Sequence, residues 1–311
     1  MMHAAGLPGR SLFPGARQIN TRCVVSRGCP SDDTIDWRGY NGMDAALWST
    51  LAVPGKITNI WGKSGAGKTS LALDMSLSEI RDENGKVLYI TDDVESVAAL
   101  LAVLFPQEGA RSGLATRVAD GFILIQSPTF KSLGQIIQQI QFAFLPDDVV
   151  RESAEFKSFV AAGENDINEK VIESLKAYKP PSMVIIDEVT RQFRRQSIEA
   201  EDAGPLILQL VMQLGFLKNL AVEKRIKVVL TSANRTITTS VGSTDETRFI
   251  DVPVANDVLD HYVDIDVQMQ WTPHAGKRYI IITCPNENNK QLQHVITMET
   301  LHDRLAGGFK P

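Results

Sequence analysis

The chain has 311 residues, a formal net charge of -5 and an isoelectric point near 5.6. With 43% hydrophobic and 22% charged residues it reads as globular and able to bury a sizeable core, which excludes a chain disordered throughout. The acidic balance excludes a uniformly basic nucleic-acid coat, though not a local basic face, and no apolar run is seen to approach the ~18 residues of a membrane helix.

Residues 1–30 contain no Asp or Glu and carry Arg10, Arg17, Arg22 and Arg27. No helical or strand period emerges there, so residues 1–36 are expected to form a flexible arm ahead of a single domain over 37–311. Cys23, Cys29 and Cys284 are an odd, sparse set. That favours a reducing compartment, the cytoplasm, over a disulfide framework, and the spacing of the first two fits no common zinc knuckle.

From residue 37 onward, apolar strands alternate with helical patterns. Ile57–Trp61 reads as a buried strand, followed by Gly62-Lys63-Ser64-Gly65-Ala66-Gly67-Lys68-Thr69 and a helix from Thr69 to Ile80. Further strands are expected at Lys86–Ile90, Phe122–Ile125, Met183–Ile186 and Lys227–Leu230. Helices are expected at Val97–Phe105, Leu133–Phe144 and Pro205–Val222. Continuous apolar strands separated by helices predict a mostly parallel sheet covered on both faces. Residues 145–181 read as a polar insertion with one amphipathic helix carrying Ile167, Val171, Ile172 and Leu175. After Val263 the period changes to strict alternation through Trp271. A turn at Thr272–Gly276, a return strand at Arg278–Thr283 and a third strand at His294–Thr297 predict a C-terminal antiparallel hairpin.

The stretch from Gly62 to Thr69 fits G-x-x-x-x-G-K-[ST], a loop whose backbone N–H groups cradle nucleotide phosphates, with Ser70 on the first turn of the helix behind it. In that reading Lys68 supplies charge to the β- and γ-phosphates and the Thr69 hydroxyl a ligand for Mg²⁺. Asp187, closing the apolar run Met183–Ile186, is the expected second metal-side group. Hydrolysis also needs a base to take a proton from the attacking water. Two carboxylates qualify, Glu188 directly after Asp187, and Asp93 at the end of the second strand. Asp92, beside Asp93, reads as the N-cap of the helix that follows. Spacing alone does not choose between the two bases.

Taken in order, these pieces resemble the RecA/RadA recombinase superfamily, most closely its archaeal single-domain RadB-like paralogues. Arg38–Asp44 resembles the Thr-Gly-x-x-x-Leu-Asp segment ahead of the family's phosphate loop, and Pro54–Gly62 the P-G-x-[IV]-T-x-[IV]-[YF]-G that enters it. Leu88–Asp93 sits where the family has its second strand and catalytic Glu, and Val228–Ala233 where it has V-V-I-T-N-Q. The resemblance spans roughly residues 37–300. It implies an α/β, RecA-like P-loop NTPase core, ATP and Mg²⁺ as ligands, and a weak ATPase that is an accessory factor in recombination or repair.

The chain departs from the family pattern in several places. Asp93 stands for the catalytic Glu, Ala233 for the γ-phosphate-sensing Gln with Asn234 beside it, and Cys284–Asn289 for a basic segment. These departures favour a divergent paralogue over a strand-exchange enzyme. They also keep open a KaiC-like regulatory ATPase acting on protein partners and a non-hydrolysing structural paralogue.

The resemblance places single-stranded DNA contacts on Arg191, Arg194 and Arg195, in the position of the family's first DNA loop. It places further contacts on Arg235 and Arg248 in a Ser/Thr-rich second loop over 235–252, with Phe193 available to stack on a base. It also implies a recombinase or paralogue as protein partner, a homo- or hetero-oligomer, and a cytoplasmic, nucleoid-associated protein with no membrane contact. The family's Phe-x-x-Ala oligomerisation pattern fits Phe13–Ala16 and, equally, Phe159–Ala162.

Overall fold

The computed structural model describes residues 25–27, 34–35, 50–81, 85–104, 121–127, 129–144, 181–200, 202–240, 247–272, 277–284 and 290–297. Strands β1 (Val25–Arg27) and β2 (Thr34–Ile35) precede β3 (Ile57–Gly62), α1 (Lys68–Arg81), β4 (Val87–Thr91) and α2 (Val94–Leu104). Then come β5 (Phe122–Gln126), α3 (Phe130–Ala143), β6 (Met183–Asp187), α4 (Val189–Glu199) and α5 (Gly204–Lys224). The chain continues through β7 (Lys227–Ser240), β8 (Thr247–Pro253), α6 (Asn256–Leu259), β9 (Ile265–Trp271), β10 (Lys277–Cys284) and β11 (Lys290–Thr297).

Among the described residues these strands form one sheet in the order β2-β1-β11-β10-β9-β3-β7-β6-β4-β5, with β8 added alongside β7. From β9 to β5 all neighbours run parallel. From β9 outward through β10, β11, β1 and β2 they run antiparallel. The expected α/β core with a C-terminal antiparallel hairpin is therefore present. β9 belongs to both halves, parallel to β3 on one side and antiparallel to β10 on the other.

Alternation along each strand divides the core in two. Ile60, Val87, Tyr89, Met183, Ile185, Val229, Val267, Met269, Ile280 and Ile282 pack on one face with α1 and α2. Ile57, Leu88, Ile90, Val184, Ile186, Val228 and Leu230 pack on the other with α3, α4 and α5. A period of two along the strands puts successive residues into different layers, so a continuous apolar run is what a sheet covered on both faces needs.

Four expectations change. Val25–Arg27 and Thr34–Ile35 are strands, not arm: β1 adds antiparallel to β11, and β2 adds antiparallel to β1; the rest of 1–36 lies outside the described residues. β7 does not stop at Leu230. It runs on to Ser240 and pairs antiparallel with β8 from Asn234↔Pro253 to Ser240↔Thr247, so much of the Ser/Thr-rich stretch expected as a loop is a hairpin. The β-branched Thr236, Ile237, Thr238 and Thr239 suit that pairing. Phe193 is 8% exposed and packs edge-on against Phe130 at 5.7 Å, so its ring is largely taken up by the core rather than open among the arginines.

The fourth change concerns α5, which is long and apolar enough to cross a membrane by length and composition. Its Leu210, Leu214, Leu217 and Ala221 are buried in the second core layer, the 3.6-residue stripe of a core helix. Pro205 at its first turn and Arg225 in a left-handed conformation after its last fix its ends. The segments Arg38–Asp44, Phe13–Ala16, Phe159–Ala162, Pro285–Asn289 and the 167–175 helix lie outside the described residues.

Polar side chains cross the sheet beneath the phosphate loop. Ser232 Oγ donates to Asn59 Oδ1 at 2.9 Å, Asn59 Nδ2 to Asp266 Oδ1 at 3.2 Å, and Trp61 Nε1 to Asp266 Oδ2 at 2.5 Å. Burial, only partly offset by these donors, pushes the Asp266 carboxyl from 3.8 up to about 6. The native state thus holds this proton through a range where the unfolded chain has lost it, so the group's contribution to stability falls as pH rises from about 4 to about 6. The difference is worth up to about 3 kcal/mol, less whatever solvent screens. Thermal melts of wild type and Asp266→Asn from pH 4 to pH 8 should therefore show the variant gaining on wild type until about pH 6, with the difference constant above that. A stability difference independent of pH would contradict the shift.

Candidate functional site

β3 delivers the chain into the loop Gly62–Gly67, and α1 carries it out. Glycine is required at two points. At Gly62 a Cβ would stand 2.3 Å from the backbone oxygen of Met269 on β9. Gly67 has φ +99, a conformation that L side chains rarely adopt. Lys68 is 9% exposed and its Nζ donates back to the carbonyl oxygens of Gly62 at 3.0 Å and Lys63 at 3.4 Å, bending over the loop. Burial lowers its pKa, and Glu188 and Asp187 work against that fall.

Asp187 ends β6 two strands from the loop, with β7 between. Its Oδ1 accepts from Thr69 Oγ1 at 3.3 Å and from Thr231 Oγ1 at 2.5 Å, and its Oδ2 from Tyr89 Oη at 2.9 Å. Burial, with Asp187 alongside, raises the Tyr89 phenol well above its ordinary range. The sequence assigned Thr69 and Asp187 to one metal site, and the fold brings the two side chains into hydrogen-bond contact. Tyr89 and Thr231 were not foreseen. Their one sequence signal is position, since each lies on a strand that the register places next to Asp187.

The two candidate bases part company. Asp93 is exposed and caps α2. Its Oδ1 accepts from the Ser96 backbone N–H at 3.0 Å and its Oδ2 from Ser96 Oγ at 2.7 Å, bonds that hold its carboxyl below the usual range. The cap is thus Asp93, not Asp92. Asp92 instead accepts from Arg191 Nη1 at 3.0 Å, and Glu188 accepts from Arg191 Nη2 at 3.4 Å. Glu188 precedes α4 without capping it, so its carboxylate remains on the nucleotide side, close enough to Lys68 to influence its titration.

The arginines expected on DNA are divided as well. Arg191 is engaged by Asp92 and Glu188. Arg194 and Arg235 come together, lining a cleft of about 600 Å³ with Ser197 and Asn234 against an apolar wall of Phe193, Ile207, Val254 and Val258. Arg235 also lies 3.6 Å from Asp257. Arg195 is exposed outside that lining, and Arg248 falls on β8 opposite Thr239. Lys63, in the loop itself, reaches Asp251 of β8 at 3.4 Å, which ties the loop to the β7–β8 hairpin. Hydrogen bonding from Thr236, with a smaller share from Lys63, holds the Asp251 carboxyl below its usual range.

The donors around the loop suit a nucleotide. A lysine and N–H groups at a helix start face where phosphates would lie, and Thr69 Oγ1 with Asp187 Oδ1 offers the hard oxygen pair that Mg²⁺ takes alongside phosphate oxygens. A family model described as "AAA domain" matches residues 45–232, from ahead of β3 to the middle of β7. The chain belongs to this family of P-loop ATPases. No curated protein matches it at a significant level. Family membership implies a nucleotide-binding NTPase and, as is usual for such domains, Mg²⁺. It is coarser than the RecA/RadB resemblance and does not single out that lineage.

Asp93 is occupied as a cap, whereas Glu188 lies near Lys68, and variants of the two acids separate their roles. Glu188→Gln is expected to lower turnover by about 10²- to 10⁴-fold while nucleotide binding persists. Asp93→Ala should cost about 1 kcal/mol in a thermal or urea melt and leave turnover near wild type. Steady-state hydrolysis assays of both variants check this, and the reverse pattern would return the role to Asp93.

Proposed function

We propose that this protein is a Mg²⁺-dependent ATPase of the RecA kind, acting as an accessory factor on single-stranded DNA in recombination or repair and hydrolysing ATP slowly. The observation that carries the reading is the convergence of Lys68, Thr69, Asp187 and Glu188 on one edge of a parallel sheet, with α4 leading from that edge to the Arg194–Arg235 cleft. Lys68 and the loop N–H groups would hold the β- and γ-phosphates, and Glu188 would receive the proton of the attacking water. Mg²⁺, held by Thr69 and Asp187, would supply charge neutralisation along the phosphate chain.

Coupling to DNA follows from helix geometry. Arg191 and Arg194 are one turn apart on α4, so a change at Glu188 when the γ-phosphate leaves would be felt in the cleft. Lys63–Asp251 gives a second route, from the loop to the hairpin that carries Arg235. A recombinase or paralogue protein would be the partner in a hetero-oligomer. One observation favours a second reading, a regulatory ATPase acting on protein. Ile198, Leu208 and Met212 are 73%, 61% and 53% exposed on α4 and α5, a surface suited to a protein partner.

The test is ATP hydrolysis with and without single-stranded DNA at several salt concentrations. Lys68→Ala should weaken ATP binding by about 10- to 150-fold, the worth of a charged hydrogen-bond donor. DNA should stimulate wild-type turnover. Arg194→Ala with Arg235→Ala should flatten the log–log salt dependence of DNA affinity by about 1.4, the slope of two single-strand phosphate contacts. Unchanged ATP affinity in Lys68→Ala would sink the mechanism, and turnover indifferent to DNA would move the reading to the protein-directed ATPase.

A further inference from the structure

We propose that the indole of Trp271, backed by Arg278, is the platform on which the purine ring of a bound nucleoside triphosphate stacks. The proposal rests on the P-loop reading above and adds the ligand class that the site prefers. Both residues lie beyond the region matched by the family model.

The direction of the nucleotide follows from the sheet. β3 feeds the loop, and its two neighbours are β7 and β9. The acids and hydroxyls suited to the γ-phosphate and its metal, Asp187, Glu188, Asp92, Thr231 and Tyr89, all come from β7 and the strands beyond it. A triphosphate lying along the loop with its γ end on that side must send its nucleoside end toward β9. Met269 of β9 is opposite Gly62, and Trp271 is two residues further on, about 7 Å past the point where β3 ends, so it stands beside the loop rather than beneath it.

Trp271 is 52% exposed, yet it is not loosely held. The Arg278 guanidinium lies 3.7 Å from its ring centroid and covers one face. Arg278 is itself 3% exposed, and its Nε donates to the carbonyl oxygen of Ala66 in the loop at 3.2 Å. The indole edge abuts the loop at Gly65, where a Cβ would come within 3.2 Å of its Cζ2. Arg278 and Trp271 are cross-strand partners on β10 and β9, so the antiparallel half of the sheet fixes the ring against the phosphate loop. A large aromatic surface left in water but clamped in place is pre-organised for stacking, which every base can use and purines, with more ring area, use best.

The experiment measures Mg²⁺-dependent binding of ATP, CTP and inorganic tripolyphosphate to the full chain, for wild type, Trp271→Ala and Trp271→Phe. Trp271→Ala should weaken ATP about tenfold or more, weaken CTP less, and leave tripolyphosphate unchanged, while Trp271→Phe should retain most of the ATP affinity. Wild type minus Trp271→Phe fluorescence isolates Trp271 from the other tryptophans. That difference signal should be quenched by ATP and not by tripolyphosphate. An alanine variant that binds ATP as wild type does, one that loses ATP and tripolyphosphate alike, or an ATP-insensitive Trp271 signal would overturn the platform while leaving the P-loop reading intact. A wild-type protein that binds neither ligand would overturn both.

Discussion

The site depends on one carboxylate. Asp187 is 7% exposed, and burying a charge is costly unless hydrogen bonds replace the water it loses. Three hydroxyls do so, Thr69 from α1, Thr231 from β7 and Tyr89 from β4. Each comes from a different element, so the satisfaction of one side chain requires β4, β6, β7 and the loop helix to be in mutual register. A slip of one residue in any of these strands would move its hydroxyl to the opposite face and leave the carboxylate short of a donor. The same register brings Asp92 and Glu188 side by side, as Thr91 and Asp187 are paired. It is also why Arg191 can meet both.

Around that point the sheet is asymmetric. Parallel strands end together at one edge, which is where a doubly covered α/β sheet binds ligands. Asp92, Asp187 and Glu188 lie on the β6 and β4 side of the loop. On the other side, β9 and β10 contribute an aromatic ring and a buried guanidinium. The loop is thus the boundary between a charged, metal-compatible half and an aromatic half, and Gly62, pressed against Met269, is what lets the two halves meet so closely.

How much of this was legible in the sequence depended on how local the cause was. The loop motif, the strands that alternate with helices and the period change after Val263 are written in adjacent residues, and they appear in the structure within a few positions. In the sequence Asp92 reads as the cap and Asp93 as a candidate base, yet the cap is Asp93, because a cap and an ion pair differ only in which acid meets Ser96 and which meets Arg191, and the latter is a contact across two strands. Phe193 looked available for stacking because it lies among arginines on α4. Its burial is decided by Phe130, far away in the chain. The β7–β8 hairpin was hidden by its composition, since Ser and Thr suit an open loop as readily as a β-branched edge strand. Tyr89 was read as one more apolar strand residue, although its hydroxyl is what reaches Asp187.

The arginines show how a charge pattern acquires meaning only in three dimensions. Arg191, Arg194 and Arg195 form one basic cluster in the sequence and, three and four positions apart, share one side of α4, yet their charged ends meet different surroundings. Arg191 is turned to the acids, Arg194 to the cleft, and Arg195 to solvent. Two of the three thus sit at opposite ends of one turn, one against Asp92 and Glu188 and one beside Arg235. Ala233 strengthens that link, because its backbone N–H donates to Thr190 Oγ1 and so ties the start of α4 to β7 just where the strand continues into the hairpin. Ala233 stands where the RecA resemblance implies a γ-phosphate-sensing glutamine. The helix and the strand are already joined there by a hydrogen bond that needs no glutamine side chain.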